Sequence, residues 1–148
     1  MKIERFEDVK AWQEARVLVN MVCDATKADK DFAGDYRFRD QIHSAAFSVM
    51  SNIAEGFSRR TTKEFGQFLF IAKGSAAEVQ SQLYVALDQG YINKDKFEEL
   101  YAKSDEVARL ISGFIRYLLN KDRPRELKEP KELNELNKLN ELNRLKQL

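Results

Sequence analysis

The sequence predicts an all-α fold: an up-down-up-down antiparallel four-helix bundle with a low-complexity C-terminal tail. Apolar residues recur at steps of three and four through four segments of about 20 to 28 residues, the spacing that gives a helix one apolar face. Two Pro and six Gly in 148 residues leave too few turn residues for a many-stranded β fold, which needs a turn roughly every 8 to 12 positions. The breaks between the helical segments are short, and short connections make sequential helices antiparallel neighbours. The length suits one core, so residues 1–122 are read as the bundle and 123–148 as the tail.

The first helix is expected from about Val9 to Ala28, with Asp8 as its N-cap and Val9, Trp12, Ala15, Val19, Val22 and Thr26 as its apolar stripe. The segment "DKDFAGD" then breaks it. A second helix runs from Tyr36 to Ser58, with Phe38, Ile42, Ala45, Val49, Ile53 and Phe57 at helical steps. Its remaining surface is small and polar. The third opens at "TTKE", where Thr61 and Glu64 have capping-box spacing, and it ends before Gly90, a residue suited to the position just past a helix. Its core stripe is Phe65, Phe68, Leu69, Ala72, Ala76, Val79, Leu83 and Leu87. Asn93 caps the fourth, whose stripe of Phe97, Leu100, Tyr101, Val107, Ile111, Phe114 and Leu118 reaches Asn120.

Beyond Pro124 and Pro130, leucine recurs every third residue from Leu133 to Leu148. Steps of three carry the leucines around a helix rather than along one face, so they form no heptad seam. The tail reads as an expanded repeat, with an exposed or partner-stabilised helix as the alternative.

Hydrophobic residues at 43% can fill an interior, and charged residues at 33% describe a solvated surface. No stretch approaches the roughly 20 apolar residues of a membrane span, and the charged N-terminus lacks the apolar core of a signal peptide. A cytoplasmic location without membrane contact is the expectation, and the lone Cys23 agrees with it. Cys23 reads as a small core residue, with a reactive thiol as the alternative. Net charge is +1, and residues 121–148 hold eight Lys and Arg against six Asp and Glu, which leaves the body nearly neutral. That excludes a strongly basic nucleic-acid binder but permits a local basic patch.

His43 is the only histidine. A di-metal bundle needs two Glu-x-x-His pairs, and the sequence has none; it also lacks a glycine-rich phosphate loop, a Cys-x-x-Cys pair and a nucleophile elbow. No catalytic residue, metal site or cofactor is expected, and His43 reads as a polar flank of the second helix. Ser48, Asn52, Glu55 and Arg59 fall at steps of four, three and four on that helix. They read as a structural polar network. On the third helix, Gly66, Phe70, Gly74, Ala77, Ser81 and Tyr84 form a second face apart from the core stripe. Each glycine there costs about 1 kcal/mol relative to alanine. A closely approaching second subunit would account for them; the alternative is that they admit another helix of the same chain.

"FEDVKAWQEA", "QIHSAAFSVMSNIAEGFSRRTTKEFGQFLFIAKGSAAEVQSQL" and "GYI" resemble the bacterial four-helix-bundle proteins named for 23S ribosomal RNA intervening sequences. The resemblance covers residues 6 to about 119, with "SNIAEG", "R-x-T-x-x-EF" and "FL-x-IA-x-GS-x-x-E" as its core, and the tail lies outside it. Met50 stands where the family often has proline, which implies a less kinked second helix. The resemblance implies a helical bundle, a bacterial or phage-like source and a homo-oligomer, a five-membered ring among relatives. It implies no catalytic residue. Distant relatives resemble accessory subunits that join a reverse transcriptase and nucleic acid in retroelements.

The function expected is a non-enzymatic oligomeric module that binds RNA or DNA through Arg37, Arg39, Arg59, Arg60, Lys63 and Lys73. From Tyr36 to Gly74 these six cations face only Asp40, Glu55 and Glu64. The alternative is a scaffold or adaptor for a polymerase, such as a reverse transcriptase, or for another polypeptide, without direct nucleic-acid contact. Salt separates them, because phosphate contacts weaken steeply with ionic strength and apolar interfaces do not.

Overall fold

A computed structural model describes residues 2–121. Residues up to Leu118 belong to one compact unit. The leucine-repeat tail expected at 123–148 lies outside the described residues. A 3-10 turn at Phe6–Asp8 precedes α1 (Lys10–Ala28), α2 (Lys30–Gly34), α3 (Tyr36–Phe57), α4 (Thr62–Asp88) and α5 (Lys94–Lys121). Among the described residues there is no strand, and no helix is long and apolar enough to cross a membrane.

Three helix boundaries follow from their local chemistry as expected. The Thr61 hydroxyl accepts the Glu64 amide at 3.2 Å and starts α4, although its proton goes to the Glu64 carboxylate, so the reciprocal bond to the Thr61 amide is not the one made. Asn93 Oδ1 accepts the Lys96 amide at 2.8 Å and starts α5. At the end of α4, Gly90 adopts φ +74°, the left-handed region that side chains disfavour. Its amide then reaches Leu87 O at 3.0 Å and the Tyr91 amide reaches Ala86 O at 2.9 Å, the paired bonds of a Schellman turn.

Two expectations are corrected. Asp8 does not cap α1: its carboxylate is taken by the amides of Glu4 and Arg5 in the preceding turn, and Val9 stands at the cap without a side-chain bond. "DKDFAGD" does more than break the chain. Asp29 accepts the Phe32 amide at 2.8 Å and Asp35 accepts the Phe38 amide at 3.2 Å, so two side-chain caps frame the five-residue α2. That helix buries Phe32 to 1% exposure between Phe38 and Tyr91, whose ring centroids stand 5.6 and 5.2 Å away. Tyr91 Oη donates to Asp35 Oδ2 at 2.6 Å, which holds the Asp35 carboxyl below its usual range and pushes the Tyr91 phenol up.

The long helices pack against one another. The end of α1 meets the start of α3 at Thr26 and His43, the middle of α3 meets α4 at Ser48 and Ser75, and Ser104 on α5 donates to Ala76 O on α4 at 3.0 Å. Between them lies one apolar core that includes Leu18, Ile42, Ile53, Leu69, Leu83, Leu100 and Ile111. On α1 the buried stripe is Ala11, Ala15, Leu18, Val22, Ala25 and Thr26, so Trp12 and Val19 sit on its flank rather than at its centre. The first and last helices are tied by a mostly buried ion pair, Lys103 Nζ to Glu14 Oε2 at 2.6 Å, with Lys10 on the other oxygen at 3.0 Å. Lys103 and then Lys10 hold the Glu14 carboxyl below its ordinary value, and Glu14 in turn raises Lys103.

α3 and α4 pack closely against each other. Gly56 makes it possible: a Cβ there would stand 2.7 Å from Phe68 Cβ and 2.8 Å from Phe65 Cδ2.

Candidate nucleic-acid interface

The turn between α3 and α4 is built by Ser58, whose hydroxyl donates to Glu55 O at 2.6 Å and closes α3, and by the Thr61 cap that opens α4. Between these caps Arg59 and Arg60 are exposed, with Lys63 in the first turn of α4. Arg59 donates to Glu55 Oε1 at 3.0 Å and lies 4.7 Å over the Phe68 ring. Arg60 and Lys63 are exposed and pair with no carboxylate among the described residues. This is a compact cationic corner with one arginine held in place and two free to meet an anion.

The other three candidate cations are elsewhere. Arg37 and Arg39 lie at the opposite end of α3, about 30 Å from Arg59 at 1.5 Å per residue. Arg39 is already engaged by Ala33 O at 3.0 Å, by Asp40 and by the Tyr36 ring at 4.7 Å. Lys73 stands about 15 Å along α4 from Lys63. The local excess of positive charge between Tyr36 and Gly74 is therefore spread over the length of two helices, and only Arg59, Arg60 and Lys63 form a cluster.

The polar stripe of α3 also divides. Asn52 Nδ2 donates to Ser48 O at 2.8 Å and to Ser48 Oγ at 2.9 Å, and Ser48 Oγ meets Ser75 Oγ of α4 at 2.8 Å. Ser75 is 8% exposed and completes a side-chain network across the two helices; the sequence placed it between core positions, where its face could have been read. Glu55 and Arg59 belong to no such network. They form an exposed pair on the solvent side of α3, worth about 0.5 kcal/mol or less.

The second face of α4 points outward. Phe70 is 58% exposed and Tyr84 51% exposed, with Gly74, Ala77 and Ser81 also exposed and Gly66 half-buried. A Cβ at Gly66 or Gly74 would meet nothing within 4 Å, so neither glycine is needed to admit another helix of this chain. Tyr84 leans on Phe97 and Tyr101 of α5, with centroids at 4.8 and 6.0 Å, and is partly used within the chain.

His43 is placed by packing. Thr26 Oγ1 donates its one proton to Val22 O at 2.9 Å, so the 2.9 Å contact with His43 requires the imidazole Nε2–H to donate. Burial first and then Arg39 lower its pKa, Asp40 pulls the other way, and Lys27 adds the smallest downward push. The neutral ring is thus favoured in the fold, and stability present above about pH 6.5 is lost as pH falls towards the lower folded value. Melts between pH 7 and 5.5 should show this decline, and His43→Gln should flatten it, because the depressed Glu14 and Asp35 carboxyls titrate below that window. An unchanged slope in the variant would contradict the assignment. Burial likewise pushes the Cys23 thiol up, away from a reactive thiolate. Among the described residues no group of three His, Cys, Asp or Glu side chains could hold a metal ion.

No curated protein matches the sequence closely. A crystal structure of a protein of unknown function from the S23 ribosomal protein family of Bacteroides thetaiotaomicron VPI-5482 is similar in fold, with a TM-score of 0.66 at 20% identity over 71% of this chain and 97% of that one. The family model described as 23S rRNA-intervening sequence protein matches residues 7–113, from within the 3-10 turn to all but the last turns of α5. With that match over most of its length and its helical fold, the chain belongs to the 23S rRNA-intervening sequence protein family.

Proposed function

We propose that this chain is a non-enzymatic, cytoplasmic, homo-oligomeric module that holds RNA or DNA by phosphate contacts at the α3–α4 turn. The observation that carries the reading is the corner itself: Arg60 and Lys63 exposed and unpaired among the described residues, beside an Arg59 fixed over Phe68. Cations of this kind position a backbone without reading bases. Repetition of the corner in an oligomer adds avidity to a contact that is weak in one copy. The outward Phe70 face of α4, with glycines that the chain's own packing does not require, supports the homo-oligomer. The family name refers to intervening sequences of 23S rRNA, which makes structured RNA the first probe and duplex DNA the second.

Replacing Arg59, Arg60 and Lys63 together by Gln should weaken binding in a low-salt titration. On duplex DNA it should reduce the salt slope by up to about 3, at roughly 0.9 per lost phosphate contact. The melt should barely move, since the one ion pair removed is exposed. Arg37→Gln, at the far end of α3, should leave binding intact. Unchanged affinity in the triple variant would remove this corner from the interface. Failure of the wild-type protein to bind either nucleic acid would favour the scaffold reading, in which the partner is a polypeptide such as a polymerase.

A further inference from the structure

We propose that the α3–α4 corner takes an unpaired nucleotide: the Arg59 guanidinium, backed by the Phe68 ring, stacks on the base while Arg60 and Lys63 hold the flanking phosphates. The inference rests on the nucleic-acid reading of this corner and names the form of strand it selects. Arg59 differs from the two cations beside it in being fixed at three points. Its backbone amide donates to Gly56 O at 3.1 Å, its Nη2 donates to Glu55 Oε1 at 3.0 Å, and its guanidinium lies 4.7 Å over the Phe68 ring. Phe68 is itself seated by the approach of α3 to α4, since a Cβ on Gly56 would stand 2.7 Å from Phe68 Cβ. Support runs from Gly56 through Phe68 to Arg59.

These constraints decide what each cation offers a ligand. A guanidinium grips phosphate by its edge, where its N–H donors lie, and takes a base on its flat face. Glu55 already occupies part of the Arg59 edge and offsets its charge, which leaves the face as the better offer. One side of that group is covered by Phe68, and 42% of the side chain is still exposed. A base laid on the exposed side completes a stack of ring, guanidinium and ring, with cation–π attraction on both sides. The side chain is ordered before the base arrives, so binding does not have to immobilise it. Arg60 and Lys63 are exposed and pair with no carboxylate among the described residues, so their charge is open to phosphate. Bases inside a duplex are stacked on each other and out of reach, so the corner selects single strands, loops and ends. Every base has the face this stack needs, so no sequence is read.

Binding of two single strands to the full chain tests this: oligothymidylate, and an abasic strand of equal length that keeps the phosphates and lacks the bases. Wild type should prefer the thymidine strand by about fivefold, the lower end of what one stacked base contributes. Arg59→Lys keeps the charge and loses the flat face. It should lose most of the preference, while its affinity for the abasic strand and its salt slope stay at the wild-type values. Phe68→Leu, which leaves Arg59 in place and removes the ring behind it, should weaken the preference as well. A lysine variant that keeps the preference, or that loses affinity for both strands alike, overturns the stack and leaves a phosphate corner standing. Equal binding of the two strands by wild type does the same. A wild type that binds neither strand removes the nucleic-acid reading itself.

Discussion

Gly56→Ala should lower the melting temperature by about 3 to 10 °C, although alanine is the better helix former by about 1 kcal/mol. The added methyl would stand 2.7 Å from Phe68 Cβ, an atom fixed to the α4 backbone, and 2.8 Å from the Phe65 ring. A flexible side-chain end could swing aside; a Cβ cannot. The two helices must separate at this contact, and overpacking of this kind costs about 1 to 3 kcal/mol. Gly113→Ala is the control, because its new methyl would have only the Arg116 guanidinium nearby, at 3.8 Å. Equal melting shifts for the two variants would show that α3 and α4 do not depend on Gly56 for their approach.

Phe32→Ala should be costlier, at about 3 to 5 kcal/mol, because it removes a fully buried ring and leaves a cavity. The ring fills the space between Phe38 and Tyr91 at one end of the bundle. Its loss should also free Tyr91 from one of its stacking partners. A thermal melt reads the effect as a fall of about 10 to 20 °C; a fall under about 3 °C would mean that α2 is an attachment to the fold and not part of its core. Phe32→Leu should lie between, since it retains most of the apolar volume.

Three helix ends, unlike the start of α1, were legible because their signals are local. Thr61, Gly90 and Asn93 act on amides within a few residues of themselves, and no distant group alters that chemistry. α2 was missed because five residues are too few to show a period, although Asp29 and Asp35 are both caps that a reader could have paired. The apolar stripe of α1 was centred too far towards Trp12 and Val19: residues on a flank are apolar as well, and periodicity alone does not say which edge of a wide stripe faces three neighbours. For the candidate site, proximity in sequence misled at Arg37 and Arg39. A long helix carries residues 20 positions apart about 30 Å from each other, so a charge excess over one segment need not be a patch. Ser75 joined Ser48 and Asn52 because helix pairing, which the sequence does not state, set those positions opposite each other.

The bond between Lys103 and Glu14 joins residues 89 apart. Closing a loop of that length in an unfolded chain costs about 4 kcal/mol in entropy beyond the constant term. The clasp is therefore expected to form after α3 and α4 have laid down the nearer contacts, when most of that distance has already been spanned. A contact made late in folding is absent from the transition state, so weakening it leaves the folding rate almost untouched and hastens unfolding. Weakening the contact between α1 and α5, as by Lys103→Met, is thus expected to shorten the lifetime of the native bundle in stopped-flow unfolding more than it slows folding.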